Sequence, residues 1–190
     1  MVIRGSWVLA SLFVFSVVIL SASSAQAGVV YTDETSYNNA VAGFGMIPAW
    51  AEDFEGMAAG AVGDPLLIGG GLAEVVNGGT GTVGSFGGSG MSWNQADGSP
   101  TIVTIQGAGN TGLGLKAISF NFGSEVDQTV NFISTAGIDP IIVTNGDQTP
   151  TNFVGWVGIG PETVESAQFV QSGGITLDNL DGFVAHAPEP

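Results

Sequence analysis

The sequence predicts an all-β fold: an antiparallel β-sandwich of jelly-roll type with about eleven short strands and one short N-terminal helix. Three observations point there. Turn residues recur along the whole chain, with 31 Gly and 8 Pro among 190 residues. Between them lie short apolar runs rich in β-branched and aromatic residues. Helical periodicity is almost absent, so βαβ units have nothing from which to build their crossovers.

In chain order, Val29 to Thr32 is the first β-type run. The helix follows at Thr35 to Val41, with Asp33 or Thr35 able to cap its start and Gly43 suited to its end. Trp50 to Glu55 alternates weakly, and Leu66 to Ile68 is brief. Leu72 to Val76 runs into Asn77-Gly78, a pair that tolerates positive φ and so predicts a tight hairpin turn. The Gly-heavy stretch from Gly69 to Gly90 reads as a loop or a meandering edge, and its apolar anchors argue against a linker. Thr101 to Ile105 is β-branched, and Leu115 to Phe122 alternates most clearly, with Ile118, Phe120 and Phe122 on one face. Val130 to Ile133, Ile141 to Thr144, Phe153 to Val157 and Val164 to Val170 follow, then Ile175 to Leu177 and Phe183 to Ala185.

Charge excludes several functions. Two basic residues cannot track a phosphate backbone, and a net charge of -15 repels both nucleic acid and anionic lipid. The absence of Cys removes disulfides, thiolate metal sites and thiol chemistry. Residues 1–27 read as a secretory leader. Arg4 precedes an apolar core from Trp7 to Leu20, and Ala25-Gln26-Ala27 supplies the small-x-small cleavage pattern. That apolar core is shorter than the roughly 20 residues a spanning helix needs. Cleavage after Ala27 would leave 28–186 as a single sandwich domain, with Lys116 its only basic side chain.

Acids without counterions invite a divalent cation. Asp53 and Glu55 lie two apart on a predicted strand and hence on one face; if Asp178 passes nearby, the three form a candidate calcium site. Asp178-Asn179-Leu180-Asp181-Gly182 begins like a calcium loop but lacks the Glu and second helix of an EF-hand. Trp93, Asn94, Gln95 and Asp97 offer an aromatic face beside amide and carboxylate groups, the equipment of a sugar site; they would equally serve as a core Trp with turn-forming neighbours. Gly107-Ala108-Gly109-Asn110-Thr111-Gly112 matches a dinucleotide fingerprint, yet a period-two run follows where a helix is required, so a glycine-rich turn is the better account. The pairs Glu52/Glu55, Glu125/Asp127 and Glu162/Glu165 are candidate hydrolytic carboxylates. His186, close to the chain end, leaves a Ser-His-Asp arrangement without a base.

The final residues Ala187-Pro188-Glu189-Pro190, following the last predicted strand of an exported, acidic, Cys-free chain, resemble the start of the PEP-CTERM sorting signal of exopolysaccharide-producing Gram-negative bacteria. Asp53-Phe54-Glu55-Gly56 and the stretch from Phe153 through Leu180 look like the sandwich domains of such proteins. The resemblance implies an exosortase-type sorting partner and a membrane anchor beyond the motif. It also implies a lectin-like sandwich, in which Asp53, Glu55 and Asp178 would frame a calcium ion. The resulting expectation is a non-catalytic, exported surface or biofilm-matrix protein that binds extracellular polysaccharide, with a secreted polysaccharide-active hydrolase as the alternative.

Overall fold

The computed structural model describes residues 28–78, 81–85, 91–95, 102–144, 147–170 and 174–186. The leader at 1–27, the Pro-Glu-Pro tail, Asp97 and the Asn145-Gly146 turn lie outside these residues.

The described residues form fourteen strands, numbered in chain order, which pair antiparallel in two sheets. The larger sheet runs β1 (Gly28–Tyr31), β12 (Asp147–Gly158), β9 (Ala117–Ser124), β14 (Ile175–Val184), β7 (Met91–Gln95), β6 (Gly81–Ser85), β3 (Gly60–Val62). Strand β2 (Ile47–Glu52) also pairs with β14. The smaller sheet runs β11 (Gly137–Val143), β10 (Gln128–Ser134), β13 (Val164–Phe169), β8 (Thr104–Gly107), β5 (Ala73–Val76), β4 (Leu66–Ile68).

Alternation explains the core. In β9, Ile118, Phe120 and Phe122 turn inward and are fully buried, as are Val154 and Trp156 of β12. The facing sheet contributes Val130, Phe132, Ala167 and Phe169. The rings interlock, with Phe120 5.6 Å from Phe169 and 6.0 Å from Phe132, and Phe122 5.2 Å from Phe169. Tilted and edge-on rings at such separations add to area burial.

A second cluster lies on the outer face of the larger sheet. Helix α1 (Glu34–Gly43) is capped by Asp33, whose carboxylate accepts from the Ser36 N–H at 2.8 Å. Tyr37 and Val41, one turn apart, face down onto Ala117 and Val157. Gly155 permits that approach, because a Cβ there would stand 2.4 Å from the Tyr37 ring.

Several expectations are corrected. The described residues hold fourteen strands rather than about eleven, because β3, β6 and β7 form where the sequence predicts no strand. The stretch after Gly69 contains β5 and β6, which belong to different sheets. Asn77-Gly78 is therefore not a hairpin turn but the departure from one sheet toward the other, with the Asn77 N–H donating to Asp64 Oδ1 at 2.8 Å. Ile175–Leu177 and Phe183–Ala185 are joined in one strand, β14.

Candidate functional site

Strand β14 has β9 along one side. On its other side, Ile175–Leu177 pairs with β7, whereas Leu180–Val184 pairs with β2. At this change of partner the strand bulges. Asp178 stands opposite Asn121 and Asp181 opposite Ser119, so three steps on β14 match two on β9. Asn179 absorbs the extra residue at φ 48, a left-handed conformation that Asn tolerates better than most residues.

The bulge resets the side-chain parity. Leu177 and Leu180, three apart, are both fully buried in the core. Asp178 and Asp181, also three apart, therefore both face outward, which uninterrupted alternation would forbid. Asp178 is 4% exposed. Asp181 opens into a trench.

The trench runs along the sheet beside α1. One section, about 290 Å³, is lined by Glu34 and Asn38 of the helix and by Ser119, Asn121 and Phe153 of the sheet. A second section, about 280 Å³, is lined by Ala51, Glu52 and Asp53. Asn179 and Asp181 line both, so the two sections adjoin at β14. Glu34 and Asn38, four apart, share a helix face above the floor.

Its electrostatics are one-sided. Burial, and after it the charge of Glu34, pushes the Asp181 carboxyl above the usual carboxylate range. Burial raises Asp178 to about 6; the Asn179 N–H opposes this, while Glu55 and Asp53 add to it. The Tyr37 phenol is held well above its ordinary value, chiefly by burial and further by Asp181, with Ser119 opposing. Lys116 supplies no counterion here, because its ammonium donates to the carbonyl oxygens of Gly160 and Glu162.

The predicted sites fare unequally. Trp93 is 1% exposed, and Asn94 and Gln95 are also buried in β7, so they form no surface platform. The Asn94 amide donates to Thr176 Oγ1 at 2.8 Å and to Gln148 Oε1 at 3.3 Å, which commits it to the interior. Of the proposed calcium ligands, Asp53 and Glu55 sit beyond the end of β2, not on one strand face. The structure brings their charges to Asp178, yet among the described residues no three acidic or imidazole groups stand close enough to hold a metal ion. As arranged, these residues do not fit a calcium cage.

The carboxylate pair Glu52/Glu55 works as a set of latches. Glu52 accepts from the Phe54 and Gly69 N–H groups, and Glu55 accepts from the Met91 N–H at 2.9 Å. The glycine-rich turn after β8 is filled from within. Glu74 accepts from the Gly109 N–H at 3.0 Å, the Asn110 N–H at 2.9 Å and Gln106 Nε2 at 2.8 Å. A backbone cradle of the kind that takes a phosphate holds the chain's own carboxylate instead.

Sequence reading misses Glu34, Asn38, Asn121, Phe153, Asn179 and Asp181 as one constellation. The available signal was a conflict of period within one β-rich stretch, because Leu177 and Leu180 cannot share a face of a regular strand.

No family model matches the chain, and no curated protein matches it. Among solved structures, a lysine-to-alanine variant of a family 29 carbohydrate-binding module overlaps it with a TM-score of 0.38 at 12% identity, covering 66% of this chain and 91% of that one. An aspartate-to-alanine variant of the same module gives 0.37 at 12% identity, covering 70% and 99%. The family 11 carbohydrate-binding module of a Clostridium thermocellum cellulosomal cellulase gives 0.28 at 14% identity, covering 76% and 96%.

Proposed function

We propose that this chain is a non-catalytic, exported surface or matrix protein that binds extracellular polysaccharide in the trench beside α1. The observation that carries the reading is the trench's chemistry. Asn38, Asn121 and Asn179, the acids Glu34 and Asp181, and Phe153 line one cavity. Amides donate and accept, carboxylates accept, and neighbouring sugar hydroxyls need both within a few ångströms. Export rests on the leader-like residues 1–27, and sorting by an exosortase-type partner on Ala187-Pro188-Glu189-Pro190.

Affinity electrophoresis through gels containing single polysaccharides tests the reading. Retardation by at least one polysaccharide, lost in Asn121→Ala and retained in a surface variant at Thr82, is expected. No retardation by any polysaccharide, or equal retardation of Asn121→Ala, overturns it. A structural calcium ion would require the carboxylates of Asp53, Glu55 and Asp178 to draw together. A melting temperature that is the same in EDTA and in millimolar calcium rules it out.

One observation favours the hydrolase. A carboxyl that stays protonated to about 6, as Asp178 does, has the property of a general acid. At 4% exposure, however, Asp178 cannot reach a glycosidic oxygen in this arrangement. Release of reducing ends that disappears in Asp178→Asn would establish that alternative.

A further inference from the structure

We propose that Gly28 is the first residue of the mature protein and that its α-ammonium, released by cleavage of the Ala27–Gly28 bond, pairs with the Asp139 carboxylate and closes one edge of the sandwich. This rests on the export reading and adds what removal of the leader does to the fold. Strand β1 is the outermost strand of the larger sheet, and β11 is the outermost strand of the smaller one. The two lie against each other, so the sheets meet at this edge.

The register fixes which way the Gly28 nitrogen points. Gly28 stands opposite Gly158, whose N–H donates to the Lys116 carbonyl oxygen at 2.8 Å, on the side away from β1. Gly28 and Gly158 are therefore a non-hydrogen-bonded pair, and the Gly28 nitrogen is turned from β12 toward the open edge. The other face of Gly28 lies on the Trp156 indole, where a Cβ would stand 2.4 Å from Nε1. That same Nε1–H donates to Asp139 Oδ2 at 2.7 Å. Gly28 and the Asp139 carboxylate thus flank one indole N–H, and only glycine fits the first position.

Asp139 has acceptor capacity to spare. Among the described residues Trp156 is its one hydrogen-bond donor. The remaining charges on the elements around β1 are placed elsewhere. Asp147 lies at the far end of β12, opposite Ser124, and Glu34 of α1 lines the trench. Glu162, in the turn after β12, sets its carbonyl oxygen against Gly158, and its charge adds to the attraction. Lys116 gives its ammonium to the carbonyl oxygens of Gly160 and Glu162, and Arg4 departs with the leader. Cleavage supplies the missing cation. Water adds across the Ala27–Gly28 amide, Ala27 leaves as a carboxylate, and the Gly28 nitrogen becomes an ammonium. A neutral group with one N–H is replaced by a charged one with three, beside a half-buried carboxylate.

The test uses the full chain, leader included, expressed in a Gram-negative host. A chain processed at Gly28 carries two amines, the Gly28 α-amine and Lys116, so reductive methylation with 13C-formaldehyde gives two NMR signals. N-terminal sequencing is expected to begin at Gly28. The Gly28 amine should titrate at a pH about one unit above the 7.7–8.0 of an exposed α-amine. It should return to the exposed value in urea and in Asp139→Asn, whose amide oxygen keeps an acceptor for the indole. The comparison of native with urea-unfolded wild type stands even if the variant fails to fold. A folded-state amine that titrates at its exposed value, or a shift that survives Asp139→Asn, overturns the pair while export stands. An exported chain that is uncut or begins at another residue does the same. A chain held uncut in the cytoplasm overturns both.

Discussion

Replacing Asp178 by Asn should stabilise the protein, and by an amount that depends on pH. Asp178 is 4% exposed and its pKa rises from 3.8 to about 6, first because burial disfavours the anion and then because Glu55 and Asp53 face it. The sign follows from linkage. A folded-state pKa above the unfolded one means that the folded chain binds the proton more tightly, so stability falls as pH rises between the two values. A displacement of about two units corresponds to about 3 kcal/mol of destabilisation once pH exceeds the folded value. The amide introduced by Asp178→Asn would keep the acceptor for the Asn179 N–H, bonded at 2.8 Å in the native chain, while removing the charge. The difference between variant and wild type should thus be small near pH 4, grow as pH rises past 6, and level off above about 7 at 2–3 kcal/mol. In a chain of this length that is a rise in Tm of about 6–10 °C. Urea unfolding across the pH range measures it directly. A difference that does not change with pH, or a variant less stable at every pH, would refute the argument that Asp178 is a strained buried acid.

Two further substitutions probe how the sheet is closed. Gly81→Ala places a Cβ 2.0 Å from Trp93 Nε1, a clash that ordinary backbone φ cannot relieve, and should cost about 1–3 kcal/mol with a shifted Trp emission; unchanged melting would mean that the indole has room to move. Glu74→Ala strips the acceptor from two backbone N–H groups and Gln106, and should lower stability by about 2–3 kcal/mol at neutral pH. The same hydrogen bonds depress the Glu74 pKa below 4.5, led by Gln106, so the wild type should lose this contribution as pH falls below that value; an acid limb identical in wild type and variant would contradict it.

The two-sheet fold was legible because its signals are local. The Ile118, Phe120, Phe122 row is a plain period-two pattern, and the core is built around it. The strands that the sequence conceals, β3, β6 and β7, are poor in branched residues, and two of them carry Gly. Gly81 accommodates Trp93, so the residue that looks like a turn signal is a packing device. Trp93 itself shows the limit of reading residue types singly. An aromatic beside amides describes a sugar site and a core strand equally well, and only pairing of β7 with β14 and β6 decides for the core.

The trench was illegible for a different reason, which also explains why it is built as it is. Its members come from α1, β2, β9, β12 and β14, and no sequence spacing links them. What assembles them is the single extra residue at Asn179. Without it, Asp178 and Asp181 would lie on opposite faces, and one carboxylate would enter the core beside Phe120 and Leu177, where the cost of an unpaired charge is several kcal/mol. With it, both acids stay on the outer face, Leu177 and Leu180 both reach the core, and β14 changes partner from β7 to β2 at the same point. The bulge therefore satisfies packing and places acidic groups beside α1 in one step. A bulge at the centre of a sheet, with a non-glycine residue at positive φ, is the point where the fold gives up regularity and thereby sets both carboxylates on its outer face.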